Sequence, residues 1–222
     1  GFPARYVDHG MTVSTPLLPE WELREKRTTV SMRYGTAATD SVYITSRDGK
    51  NFRQSNDVFL RPGLRTRHNW SYGDNYIAWH VVETESTRDD SPKELSLYAT
   101  ESYFTGRDSR LRRYTLRMDG FASVHAKLQE GELTTKPLTF SGKEISLNVA
   151  TSAAGMVKVE IRNPDGTAIP GYTLEDCDLI YGDSLDRVVS WKGNKSVETL
   201  AGKPVVLHFV MREADIYSLI VK

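Results

Sequence analysis

Residues 144–162 read EISLNVATSAAGMVKVEIR. Ile145, Leu147 and Val149 alternate with Ser146 and Asn148, and Val157, Val159 and Ile161 alternate with Lys158 and Glu160. Successive side chains of an extended chain point to opposite faces, so this period of two predicts two strands, 144–149 and 157–162, each with one covered face. Working outward, residues 111–118, 123–128, 132–135, 188–192, 205–211 and 217–221 behave in the same way. Asp119-Gly120, Ser141-Gly142, Asn163-Pro164-Asp165-Gly166, Lys192-Gly193-Asn194 and Ala201-Gly202 separate them as turns. No segment holds a 3.6-residue period with caps. Short, regularly spaced strands with such turns predict an all-β chain whose C-terminal part, 107–222, is an antiparallel β-sandwich.

Upstream the pattern is looser. Residues 1–25, with Pro3, Pro16 and Pro19, read as irregular. Residues 28–34 (TTVSMRY) and 41–46 (SVYITS) alternate as strands, and Asp48-Gly49 predicts a hairpin turn because both residues tolerate positive φ. Residues 77–84 (IAWHVVET) and 95–103 (LSLYATESY) read as two more strands around a polar loop. Residues 107–113 (RDSRLRR) read as a solvated connection, which places the domain boundary between 1–106 and 107–222. Residues 60–76 (LRPGLRTRHNWSYGDNY) are dense in arginine, glycine and aromatics, the composition of a structured loop. Aromatic faces stack on sugar rings and arginine bonds hydroxyls or carboxylates, so Arg67, Trp70, Tyr72 and Tyr76 are the candidate sugar contacts, beside Arg61, Arg65 and His68. The competing reading is a connecting loop with Trp70 packed inside.

Lys+Arg 29 against Asp+Glu 29 leaves no net charge, which removes the whole-chain electrostatic drive toward nucleic acid. The single cysteine, Cys177, allows neither an internal disulfide nor a cysteine zinc site. No run approaches the ~20 apolar residues of a membrane span. The beginning at Gly1-Phe2-Pro3, without Met or a signal-peptide pattern, is expected to reflect either a removed leader or, the preferred reading, an artificially chosen start.

Gly182-Asp183-Ser184-Leu185 spells the block that names the GDSL esterases. A serine is not nucleophilic without a base, and those enzymes take theirs from a downstream D-x-x-H. Here the only downstream histidine is His208, with Val205 three residues before it, so Ser184 is not read as a nucleophile. Asp176, Asp178, Asp183 and Asp186 offer oxygens of the kind calcium takes, but without EF-hand spacing; Asx-turns explain them equally well. Apart from that calcium alternative no cofactor is expected. His9, His68, His80, His125 and His208 show no paired ligand spacing.

Ser46-Arg47-Asp48-Gly49-Lys50-Asn51-Phe52 resembles the turn that recurs once per blade in sugar-cleaving β-propellers. Met118-Asp119-Gly120-Phe121, Thr134-Thr135-Lys136-Pro137, Asp176-Cys177-Asp178, Val189-Ser190-Trp191 and Leu207-His208-Phe209 extend a resemblance over 107–222. It is to the β-sandwich that ends bacterial proteins resembling glycoside hydrolases of the invertase and arabinanase type, in which a five-bladed propeller precedes the sandwich. The resemblance implies that 1–106 is an incomplete, propeller-like antiparallel sheet. The glycosidase carboxylates of that type come from several blades, and the N-terminal half has room for one or two. It therefore implies a carbohydrate-related accessory or structural domain without catalysis in this chain, exported to the periplasm or beyond. The alternatives are a glycoside hydrolase active only as an oligomer or a longer chain, and an esterase using Ser184. The expected partner is carbohydrate, with a homodimer through exposed sheet edges.

Overall fold

The computed structural model describes residues 1–64, 69–103 and 109–222. Strand outweighs helix, 46% to 9%, in three antiparallel sheets, so the chain is all-β. It divides into two units, Gly1–Leu116 and Arg117–Lys222.

In the first unit, β1 (Ala4–Asp8), β2 (Ala37–Ser46) and β3 (Phe52–Leu60) form one sheet with β2 central. The β2–β3 turn is the expected one. Asp48 accepts from the backbone N–H groups of Lys50 and Asn51 at 2.9 and 2.8 Å, and Gly49 takes φ +70°. A second sheet is ordered β4 (Val82–Thr84), β5 (Glu94–Glu101), β6 (Arg110–Arg117). Arginines read as a solvated connection are therefore hydrogen-bonded into the first unit's sheet. Of residues 77–84 only the last three are strand; Ile77 makes a single bridge to Ala99, and Trp79 is 87% exposed.

The expected strand at 28–34 does not form. Helix α1 (Trp21–Thr28) and helix α2 (Met32–Thr36) occupy that region, and β1 and α1 replace the irregular start. Helix α1 has Glu22 in its first turn and Lys26 and Arg27 in its last, complementing the helix dipole. Gly35 lets the helices touch, since a Cβ there would overlap the Arg24 carbonyl. Among the described residues this unit fully buries only Ala37, Val42, Leu97 and Ala99 as apolar side chains. Its interior is otherwise polar: Arg24, Thr39, Ser41, Asp74, Asn75 and Ser96 are buried beside them.

The second unit is built on two long strands, β9 (Ile145–Arg162) and β11 (Val206–Val221), paired along their length. β10 (Asp183–Val188) adds to the outer edge of β9; β7 (Val124–Ala126) and β8 (Gly131–Thr134) share the other edge of β11. The two alternating runs, 144–149 and 157–162, are thus halves of one strand. Arg212 stands opposite Met156 and Ala214 opposite Thr151, so residues 152–155 face Glu213 alone, at φ +40°. A Cβ on Gly155 would overlap the Glu213 carbonyl and lie 2.8 Å from Thr151 Cβ. That irregularity is a corner. Val189 N donates to Ile145 O at 2.9 Å, while the Trp191 indole, two residues on, donates to Val159 O at 2.8 Å. A straight strand would hold Ile145 and Val159 roughly 46 Å apart at ~3.3 Å per residue. The ribbon therefore folds back on itself. Ile145, Leu147 and Val149 from one half and Val157, Val159 and Ile161 from the other enter a single core with Phe209 and Trp191.

Candidate functional site

The first unit's polar interior holds up a loop. Arg24, 4% exposed, projects from α1 and donates to the carbonyls of Pro19, Trp70 and Asn69 at 2.9, 3.0 and 3.1 Å. Gly73 sits at φ +89° under the Tyr103 ring, where any Cβ would collide, and its N–H donates to Thr39 Oγ1 at 3.0 Å. Asn75, at φ +56°, donates its N–H to Thr100 O at 2.7 Å and accepts from Ser41 Oγ at 2.5 Å. The turn is thereby pinned to β2 on one side and β5 on the other. Between these anchors the Asp74 carboxylate is 1% exposed. It accepts from the N–H groups of Ser71 at 3.1 Å and Tyr103 at 3.2 Å. Burial pushes its carboxyl up and those N–H groups hold it down, the net shift being upward. With its oxygens filled by donors it is a structural acceptor.

A cavity of about 390 Å³ opens beside this turn, lined in part by Leu64, Asp74, Asn75, Glu101, Arg110 and Arg112. Arg110 and Arg112 lie two apart on β6 and meet Glu101 through their Nε atoms at 2.8 and 2.9 Å. Tyr114 Oη donates to the same carboxylate at 2.6 Å. Burial pushes Glu101 up, but the Tyr114 and Arg110 hydrogen bonds and the two guanidinium charges outweigh it, leaving the carboxyl below the ordinary glutamate value. Burial first, then the bond to Glu101, pushes the Tyr114 phenol up. Against these satisfied groups stands Asn75 Nδ2: buried, in a residue 1% exposed, and without a hydrogen-bond partner among the described residues.

Of the residues singled out from sequence, Trp70, Tyr72 and Tyr76 make contacts of their own. Arg67, with Arg65 and His68, lies outside the described residues. The Trp70 indole donates to Gly63 O at 2.8 Å and staples the loop. Tyr72 packs 5.1 Å from Tyr34 and 6.1 Å from Tyr6, with the Arg33 guanidinium 5.6 Å from its ring centre. Tyr76 lies 6.1 Å from Tyr103; burial, then a hydrogen bond with Tyr72, pushes its phenol up. Tyr72 and Tyr76 thus join one tyrosine cluster, while Trp70 is turned to the loop. Asp74 and Asn75, their immediate neighbours, line the cavity instead.

In the second unit Ser184 lies on β10 and its hydroxyl accepts from the Asp186 N–H at 3.2 Å. His208 is 3% exposed and bonded to Thr134 Oγ1 at 3.1 Å; burial and the nearby Arg162 push it below the ordinary imidazole range. Among the described residues no histidine is hydrogen-bonded to Ser184. The acidic residues go separate ways. Asp176 pairs with Lys192, Asp178 with Ser190 and the Gly193 N–H, Asp183 with Arg117, and Asp186 with Lys222. Among the described residues no three His, Cys, Asp or Glu side chains gather as a metal site, and no described helix is long and apolar enough to cross a membrane. Comparison with protein-family profiles, curated proteins and solved structures finds no match in any of the three.

Proposed function

We propose that this chain is a non-catalytic, carbohydrate-related β-protein, an accessory or structural part of a glycoside hydrolase-like protein, whose first unit binds sugar in the cavity beside Asn75. The second unit, in this reading, is a supporting β-sandwich. The observation that carries the proposal is the lining of that cavity. It supplies what a saccharide needs: the guanidinium groups of Arg110 and Arg112, which meet Glu101 through Nε alone, and the apolar side chain of Leu64.

The filled carboxylates support binding rather than hydrolysis. A glycosidase needs one carboxyl that gives a proton and a second that attacks or activates water. Asp74 is occupied by backbone N–H groups and Glu101 by Tyr114 and two arginines, so neither is poised for that work. The test is titration calorimetry of the intact chain against a panel of plant and algal oligosaccharides. Asn75→Gly, which keeps the positive φ, and Trp70→Ala are the variants. Binding by the parent that Asn75→Gly loses is the expected result. Release of reducing sugar from any panel member by pure protein overturns the non-catalytic reading.

The small apolar core of the first unit, with Val13 99%, Leu17 81% and Val30 79% exposed, supports the further proposal that the protein self-associates through this unit and its sheet edges. Light scattering is expected to give a dimer mass, and a monomer at high concentration removes that part.

A further inference from the structure

The cavity beside Asn75 has a chemical bias that bears on what enters it. Its two carboxylates are turned to the protein: Asp74 to the Ser71 and Tyr103 N–H groups, Glu101 to Tyr114 Oη and two guanidinium Nε atoms. Arg110 and Arg112 spend only Nε on Glu101. Their side chains are 59% and 52% exposed, and their terminal nitrogens have no other hydrogen-bond partner among the described residues. The charged groups left for a ligand are therefore guanidinium donors. Two guanidinium groups face the single Glu101 carboxylate.

We propose that the cavity selects a saccharide carrying an oxyanion, a uronate carboxylate or a sulfate ester, gripped by the terminal nitrogens of Arg110 and Arg112. A neutral sugar hydroxyl both donates and accepts, and its donor half finds no free acceptor among these groups. An oxyanion only accepts, and charge-assisted bonds to guanidinium are the strongest of their kind. This inference rests on the sugar-binding reading above and narrows it.

The test uses the intact chain in calorimetry with three probes of equal length: an oligogalacturonate, a sulfated galactan oligosaccharide and a neutral galactan oligosaccharide. Either charged probe, or both, is expected to bind at least tenfold more tightly than the neutral one, and the two charged arms say which oxyanion fits. Arg112→Gln is expected to weaken the charged probe tenfold or more, and 0.5 M salt to weaken it further than the neutral one. Arg112 lies on the surface, so this variant folds even where a change at buried Asn75 does not. Equal binding of charged and neutral probes, or full affinity in Arg112→Gln, overturns the oxyanion assignment and leaves sugar binding standing. Absence of binding by every probe overturns both.

Discussion

Replacing Trp191 by phenylalanine tests whether the β9–β11 ribbon is folded over as described. Trp191 is 2% exposed, packs edge-on against Tyr172 at 5.1 Å, and donates its indole N–H to the Val159 carbonyl at 2.8 Å. Phenylalanine keeps a ring in the core but has no donor. The Val159 carbonyl, in a residue with no exposure, then loses its side-chain partner at a cost of about 1–3 kcal/mol. Losing about three ring atoms from a packed site adds roughly 1–2 kcal/mol. The second unit should therefore lose about 2–5 kcal/mol in total, a large share of the 5–15 kcal/mol that holds a typical domain. Urea unfolding followed by far-UV circular dichroism is the assay, because tryptophan emission is itself altered by the change. The midpoint should fall while the slope of free energy against urea stays constant. A loss below about 0.5 kcal/mol would refute the reasoning: the indole would then not be tying the two halves of β9 together.

Three further outcomes follow from the same contacts. Gly155→Ala drives a methyl into the Glu213 carbonyl at the ribbon's corner and should cost about 1–3 kcal/mol in the same urea assay; an unchanged midpoint contradicts the corner. Asp74→Ala leaves the Ser71 and Tyr103 N–H groups unpaired in the interior. It should destabilise the first unit by about 2–4 kcal/mol, read as faster amide exchange across 71–76 with exchange in the second unit unchanged. Glu101 has its folded carboxyl below the ordinary value of about 4.5, so its contribution is complete above that pH and is lost as pH falls through the lower, folded value. Glu101→Gln should accordingly flatten the decline of stability below about pH 4.5, and an acid limb identical to the parent's would show the carboxylate adds nothing.

The all-β class was legible because the second unit's strands alternate cleanly between glycine-bearing turns, as at Ile145–Val149 and Leu207–Met211. The continuity of β9 was not, because the corner residues Ser152-Ala153-Ala154-Gly155 are small and break the alternation that marks a strand. Helix α1 left no stripe in the sequence since its buried side chain is Arg24, a residue that pattern reading assigns to solvent. Residues 28–34 alternate, yet the tight seat of Gly35 on Arg24 decides in favour of helix α2. The candidate site was legible only in part. The aromatics of residues 60–76 stand out in the sequence, but the buried anchors of that loop are Asp74 and Asn75, whose turn chemistry is visible there and whose burial is not. Arg110 and Arg112 carried a usable signal: arginines two apart on a strand share a face.

The place of β11 bears on how the protein is made. It is flanked by β9 along one edge and by β7 and β8 along the other, yet all three precede it in the chain. During synthesis at ~5–20 residues per second, the apolar faces of Leu147, Val159 and Ile161 leave the ribosome well before the strand that covers them. The second unit must then assemble in one late step rather than grow as it emerges. A nascent chain stalled short of Val206 is an unfinished sheet with open edges, a substrate for chaperones or for aggregation.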